Sequence, residues 1–311
     1  MLLRLALLLA AVASARALLV LPSSPPRGFN TFDNYCYDPS LLNDSSVMDL
    51  VYTLASSPLR DAGYSNLFGF SGWSQTLNTS SGQWLQNLDA WGRPVPAPDR
   101  LSPDIFRRAS AAGAALGMRV GLWHIRGIHV SAAARRLPVK GMEQYTLDQL
   151  VDAEPVGGGA NGSCLWDSDW LGVNASHPAA QAYYNSVVEQ LVELGSSVIE
   201  ADCFMCEPCY ADEMALFSNA VKARPEELVL YFSPGGGAQP AEARRIVADN
   251  QLATFYRTIT DFHGGWFDWG GLQQAIFIAG NFTAAGLHGA NGTWPDLDMM
   301  PIDRDASTKR R

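Results

Sequence analysis

From Arg27 onward, short apolar runs alternate with longer amphipathic ones. RGFNTF, AGYSNLFGFSGW, MRVGLWH, SVIEAD, LVLYFS, ATFYRTITD and TWPDLDMMP are short, rich in β-branched and aromatic residues, and read as seven buried strands. The stretches between them carry helical spacing. Ser102, with Pro103 at the first helical position and Gly117 beyond the end, bounds one helix. Ser176 opens a second, AQAYYNSVVEQLVEL, which Gly195 closes, and ADEMALFSNAV, AEARRIVA and GLQQAIFIAG follow as further helices. Strands that alternate with helices predict a parallel sheet, either open and doubly wound or closed as a (β/α)8 TIM barrel. An open dinucleotide-binding sheet would carry G-x-G-x-x-G after its first strand, but DNYCYDP stands there, so the pattern predicts the barrel.

In such a barrel the chemistry sits at the C-terminal ends of the strands. Four consecutive ends carry Asp202, Ser233, Asp261 and Asp298. The period of two puts Glu200 with Asp202 on one strand face, and Arg257 with Asp261 on another. A lone aspartate at a strand end is usually a cap or a solvated turn, but several in register point to a site. Trp73, Trp123, Trp266 and Trp294 fall on or near the same loops. Carboxylates among aromatic rings suit a sugar, whose apolar faces stack while acids move protons or attack carbon. G-x-S-x-G and H-E-x-x-H are absent, and nothing in the pattern calls for a metal or a cofactor.

Composition narrows the setting. The 311 residues carry a net charge of −9, which offers no footprint for nucleic acid or an anionic membrane surface. Residues 1–17 read as a secretory signal, with Arg4 ahead of an apolar core too short to span a bilayer and small residues at its end. Residues 18–26 form a stiff lead-in, 27–302 the barrel, and 303–311 a basic polar tail. Asn43, Asn78, Asn161, Asn174, Asn281 and Asn291 begin N-x-Ser/Thr triplets. Cys36, Cys164, Cys203, Cys206 and Cys209 are disulfide candidates whose pairing is open, and zinc is the weaker reading of the C-x-x-C-x-x-C run. A secreted or vacuolar-lysosomal glycoprotein with a carbohydrate partner is the expectation.

RGFNTFDNYC, AWGRPVPAPDR, LGMRVGLWHIRGI, ADCF, YRTITDFHGGW and WPDLDMMP occur in that order. Together they resemble the α-galactosidase (melibiase-type) glycoside hydrolases of family 27, closest to the plant and microbial α-galactosidase-like branch. The likeness runs from about Pro26 to Ile302. It implies a retaining glycosidase that releases terminal α-linked galactose or a similar sugar. Asp202 would be the nucleophile, and Asp261, four residues after Arg257, the acid/base. Trp123, Arg257, Asp298 and Met299 would hold substrate, with Ser233 at its strand end beside them. Retention calls for the two catalytic carboxyls to lie about 5–5.5 Å apart.

Three departures qualify what the resemblance implies. Glu200 stands where the family carries a lysine, so two acids share a strand face and one pKa should rise strongly. Phe70 and Ser71 replace the acids that grip sugar hydroxyls after the second strand. No eighth strand and no C-terminal β-sandwich follow WPDLDMMP, which predicts an incomplete barrel. These departures keep a second reading open, a catalytically weak or inactive sugar-binding relative.

Overall fold

The computed structural model describes residues 19–35, 38–153, 162–204, 210–233, 239–259 and 269–299. Seven parallel strands form one sheet in sequence order: β1 (Arg27–Asn30), β2 (Tyr64–Phe68), β3 (Arg119–Ile125), β4 (Val198–Asp202), β5 (Val229–Ser233), β6 (Phe255–Arg257) and β7 (Trp294–Asp296). Each crossover carries a helix: α1 (Asp44–Ser56), α2 (Ile105–Ala115), α3 (Ala180–Glu193), α4 (Ala211–Lys222), α5 (Pro240–Ala243, continued as a π turn over Arg244–Ala248) and α6 (Trp269–Ala284). The predicted alternation and strand count are both present.

The sheet is curled. Neighbouring strands lie about 4.8 Å apart, so strands three apart in a flat sheet would be separated by roughly 14 Å. Yet the Phe68 ring on β2 lies 6.0 Å from Tyr231 on β5 and 6.2 Å from Phe255 on β6. Asn30 on β1 likewise reaches Glu200 on β4. Inward positions alternate along each strand. Phe68, Val198, Val229, Tyr231, Phe255 and Trp294 fill the interior, while Ile199, Ala201, Leu230, Phe232 and Tyr256 face the helical layer. Among the described residues β1 and β7 are the sheet edges, so the fold is a partial TIM barrel.

The lead-in does more than precede the barrel. Leu19 bridges to Leu228, Thr254 donates to the Val20 carbonyl, and the Trp294 indole donates to Pro22 at 3.0 Å. This segment therefore packs at the N-terminal ends of the strands. Residues 1–17 and 303–311 lie outside the described residues.

Both predicted helix caps are corrected. Ser102 bonds Asp44 and Arg108 rather than capping, and α2 begins at Ile105. Ser176 turns back onto Asn174, and α3 begins only at Ala180. In each case a nearby side chain outcompetes the helix for the serine hydroxyl. The sixth strand run also shortens, since β6 covers only three residues of ATFYRTITD. No helix among the described residues is long and apolar enough to cross a membrane.

Candidate active site

β4 is buried on both faces, which is unusual for a segment holding two acids. Ile199 and Ala201 pack outward, so Glu200 and Asp202 must point into the barrel. Glu200 is 4% exposed, and Asn30 Nδ2 donates to its two oxygens at 3.1 and 3.2 Å. Burial, then the nearby Asp202 charge, push its carboxyl well above the usual range, against the pull of Asn30 and Arg257. The expected rise on this face is found at Glu200, with burial as its larger cause and the Asp202 charge as its second.

Asp202 has different surroundings. Trp123 Nε1 donates to Oδ2 at 3.0 Å, and the Cys203 N–H donates to Oδ1 at 2.7 Å. Two N–H donors suit an ionised carboxylate. The second donor depends on backbone shape, because Cys203 adopts a left-handed φ of 63°. Three features hold it there. Cys203 is disulfide-bonded to Cys164, 39 residues away. Arg126 Nε donates to the Cys203 carbonyl at 2.8 Å, and the Arg126 N–H donates to the Asp202 carbonyl at 3.0 Å. The guanidinium is fully buried, lies 3.4 Å over the Tyr210 ring and pairs with Glu213, which also accepts from Tyr184. Next to it, Gly127 has φ 96°, and a Cβ there would lie 2.0 Å from the Leu171 carbonyl, so only glycine fits.

Across the interior, Arg257 Nη1 lies 3.4 Å from Asp298 Oδ1, with both side chains buried. Asp298, like Cys203, is left-handed, at φ 74°. Tyr231 donates to Asp296 at 2.8 Å, and burial with some help from Asp298 raises the Asp296 carboxyl to about 6. Asn30, Asn66, Asp296, Asp298 and Met299 line a cavity of about 350 Å³, with Phe68, Tyr231 and Phe255 also contributing.

Of the residues singled out in the sequence, Trp123, Glu200, Asp202, Ser233, Arg257, Asp298 and Met299 gather at this end of the sheet. Ser233 pairs in register with Asp202 and is buried, and its carbonyl accepts from the Cys203 N–H. Asp261 and Trp266 lie outside the described residues, as do Cys36, Cys206 and Cys209. Two expectations are corrected, and a third position is filled as its sequence implied. Trp73 is 1% exposed, packs edge-on to Phe106, and donates to the Trp123 carbonyl, so it supports the site from the core. Trp294 begins β7 at the opposite end from the mouth. Phe70 is fully buried against Phe106, so it replaces a sugar-gripping acid with core rather than with mouth surface.

Asn30, Arg126, Tyr231 and Asp296 were missed by sequence reasoning. Asn30 and Asp296 sat inside quoted motifs, and period-two counting from Asp298 would have put Asp296 on the inward face. Arg126 sat inside LGMRVGLWHIRGI, but no periodicity marks its role, because its partners come from three separate segments.

No protein-family model matches the chain, and no curated protein matches it. Solved structures do. A family 27 β-L-arabinopyranosidase from Geobacillus stearothermophilus is similar at 23% identity and TM-score 0.75, over 91% of this chain and 62% of that one. A Bacillus halodurans protein assigned as an α-N-acetylgalactosaminidase is similar at 25% identity and TM-score 0.66, over 89% of this chain and 60% of that one. α-Galactosidase I from Mortierella vinacea is similar at 13% identity and TM-score 0.52, over 93% of this chain and 62% of that one. The chain thus spans a little over three fifths of the length of these structures. The likeness carried by its motifs is borne out in three dimensions: this chain has the barrel architecture of the α-galactosidase-like glycosidases of family 27.

Proposed function

We propose that the chain is a retaining glycoside hydrolase acting on a terminal α-linked galactose or a closely similar pyranose. The observation that carries this reading is geometric: at the end of β4 the Asp202 carboxylate accepts from the Trp123 indole N–H and the Cys203 N–H. Glu200, two residues earlier on the same face, has its carboxyl pushed well above the usual range by burial and by the Asp202 charge, which lessens the like charge opposing Asp202. An Asp202 oxygen attacks the anomeric carbon and forms a C–O bond as the bond to the leaving oxygen breaks. Asp261 gives that oxygen its proton. Water then attacks the same carbon, loses a proton to Asp261, and frees Asp202. Arg257 and Asp298 are placed to hold sugar hydroxyls by charge-assisted hydrogen bonds. The Cys164–Cys203 disulfide supports a secretory route for the protein.

The test is release of a chromophore from an aryl α-galactoside, with product configuration followed by proton NMR. Release that retains configuration and is lost in Asp202→Asn supports the reading. No release, with galactose still bound in calorimetry, favours a sugar-binding protein instead.

A further inference from the structure

An exposed indole lies beside the candidate nucleophile's own tryptophan. Trp166 is 52% exposed and Leu165 next to it 60%. The Trp166 ring lies 6.3 Å from that of Trp123, tilted by 35°. Trp123 in turn bonds Asp202 through its indole N–H. Scattered exposed apolar residues are ordinary. This pair is not scattered, because the loop that presents it is fastened on every side. Arg126 donates to the Gly162 carbonyl at its start. Cys164 is tied by the disulfide to Cys203 and donates its N–H to the Trp170 carbonyl at 3.0 Å. Trp170 is 3% exposed and packs edge-on to His124 and His129, and the Val130 N–H donates to the Asp169 carbonyl at 2.8 Å.

We propose that Trp166 is the stacking platform of a leaving-group subsite, receiving the apolar face of the pyranose that follows the terminal sugar. The proposal rests on the glycosidase reading. On that reading a terminal sugar sits against Asp202, with the cavity lined by Asn30, Asp298 and Met299 on its β1 and β7 side and Trp123 on the other. Whatever is attached to that sugar must then extend toward solvent, and Trp166 stands exposed beyond Trp123. Anchoring matters energetically, since a ring already fixed in place loses little freedom when a sugar stacks on it. The disulfide has two roles here. It shapes the backbone that bonds Asp202, and it ties that backbone directly to the platform.

Calorimetry of the full chain in an Asp202→Asn background, which prevents turnover, tests this with galactose and an α-linked galactosyl–glucose disaccharide. Trp166→Ala should weaken the disaccharide by about tenfold, leave galactose unchanged, and be largely rescued by Trp166→Phe. Equal disaccharide affinity with and without Trp166, or an equal loss for galactose, overturns the platform while the glycosidase reading stands. If the unsubstituted chain neither binds galactose nor releases it from a glycoside, the reading and the platform fall together.

Discussion

His124 makes a quantitative prediction about acid stability. It lies on β3 facing the helical layer, 1% exposed, with its ring stacked on Phe217 at 5.9 Å and edge-on to Trp170 at 6.0 Å. Neither ring nitrogen has a hydrogen-bond partner among the described residues. Burial lowers its pKa from 6.5 to about 3. The unfolded chain therefore takes up the proton first as pH falls, so stability drops from about pH 6.5 down to about pH 3. Two pH units below 6.5, at pH 4.5, the cost is about 2.7 kcal/mol, since each unit is worth about 1.4 kcal/mol. For a domain of this size that is a fall in Tm of about 5 °C. His124→Phe keeps a ring in the slot and removes the titration, and His124→Leu serves if the larger ring strains the packing. Urea unfolding at pH 7.5 and 4.5 should show the wild type losing about 2.7 kcal/mol more than the variant between the two pH values. All other titrating groups are common to both proteins and cancel in that double difference. Identical pH dependence in wild type and variant, or a folded His124 titrating near 6.5 by NMR, would refute the reasoning.

Other expectations follow from the same structure. Glu200→Gln replaces a carboxyl pushed well above the usual range with a neutral isostere, so activity at neutral pH should stay within about threefold. The alkaline limb of the pH–rate profile, which Asp261 sets as general acid, should move upward in that variant because no charge develops at position 200, and a limb at the same pH in both proteins counts against the assignment. Asp296→Asn should stabilise the protein at pH 7.5 but not at pH 4. The raised carboxyl costs stability only as pH rises from its usual value through about 6, and about 1–2 kcal/mol is expected after allowing for partial exposure. Arg126→Met should cost about 3–5 kcal/mol in urea unfolding by stranding the Glu213 carboxylate. Adding Glu213→Gln should recover part of that loss, and no recovery would mean that the charge pair is not the cause.

How much of this was legible in the sequence depended on whether local pattern or distant contact decided it. The strand runs, their order and the inward face of β4 followed from hydrophobic alternation, because a strand buried on both sides has few other readings. Asp202 and Asp298 were visible as strand-end acids for the same reason. Trp73 and Trp294 were misplaced because proximity to a strand end in sequence does not say which way a ring turns. Phe70 turns into the core through a left-handed backbone at φ 56° that no pattern announces. The serine caps failed because Asp44 and Asn174 claimed the hydroxyls.

By itself the chain determined its architecture. Apolar runs of strand length alternating with amphipathic helices admit few topologies other than a parallel curled sheet, and acids spaced two apart on one strand must share a face. The tertiary structure alone decided what those acids are. Burial in the interior, then the Asp202 charge, push the Glu200 carboxyl up, against the Asn30 bond from the first strand. Trp123 and a backbone N–H fixed by Arg126 and the disulfide suit Asp202 to carry the charge. Protonation depends on desolvation and on charges a few ångströms away, and residues tens of positions apart supply both only once the chain has folded.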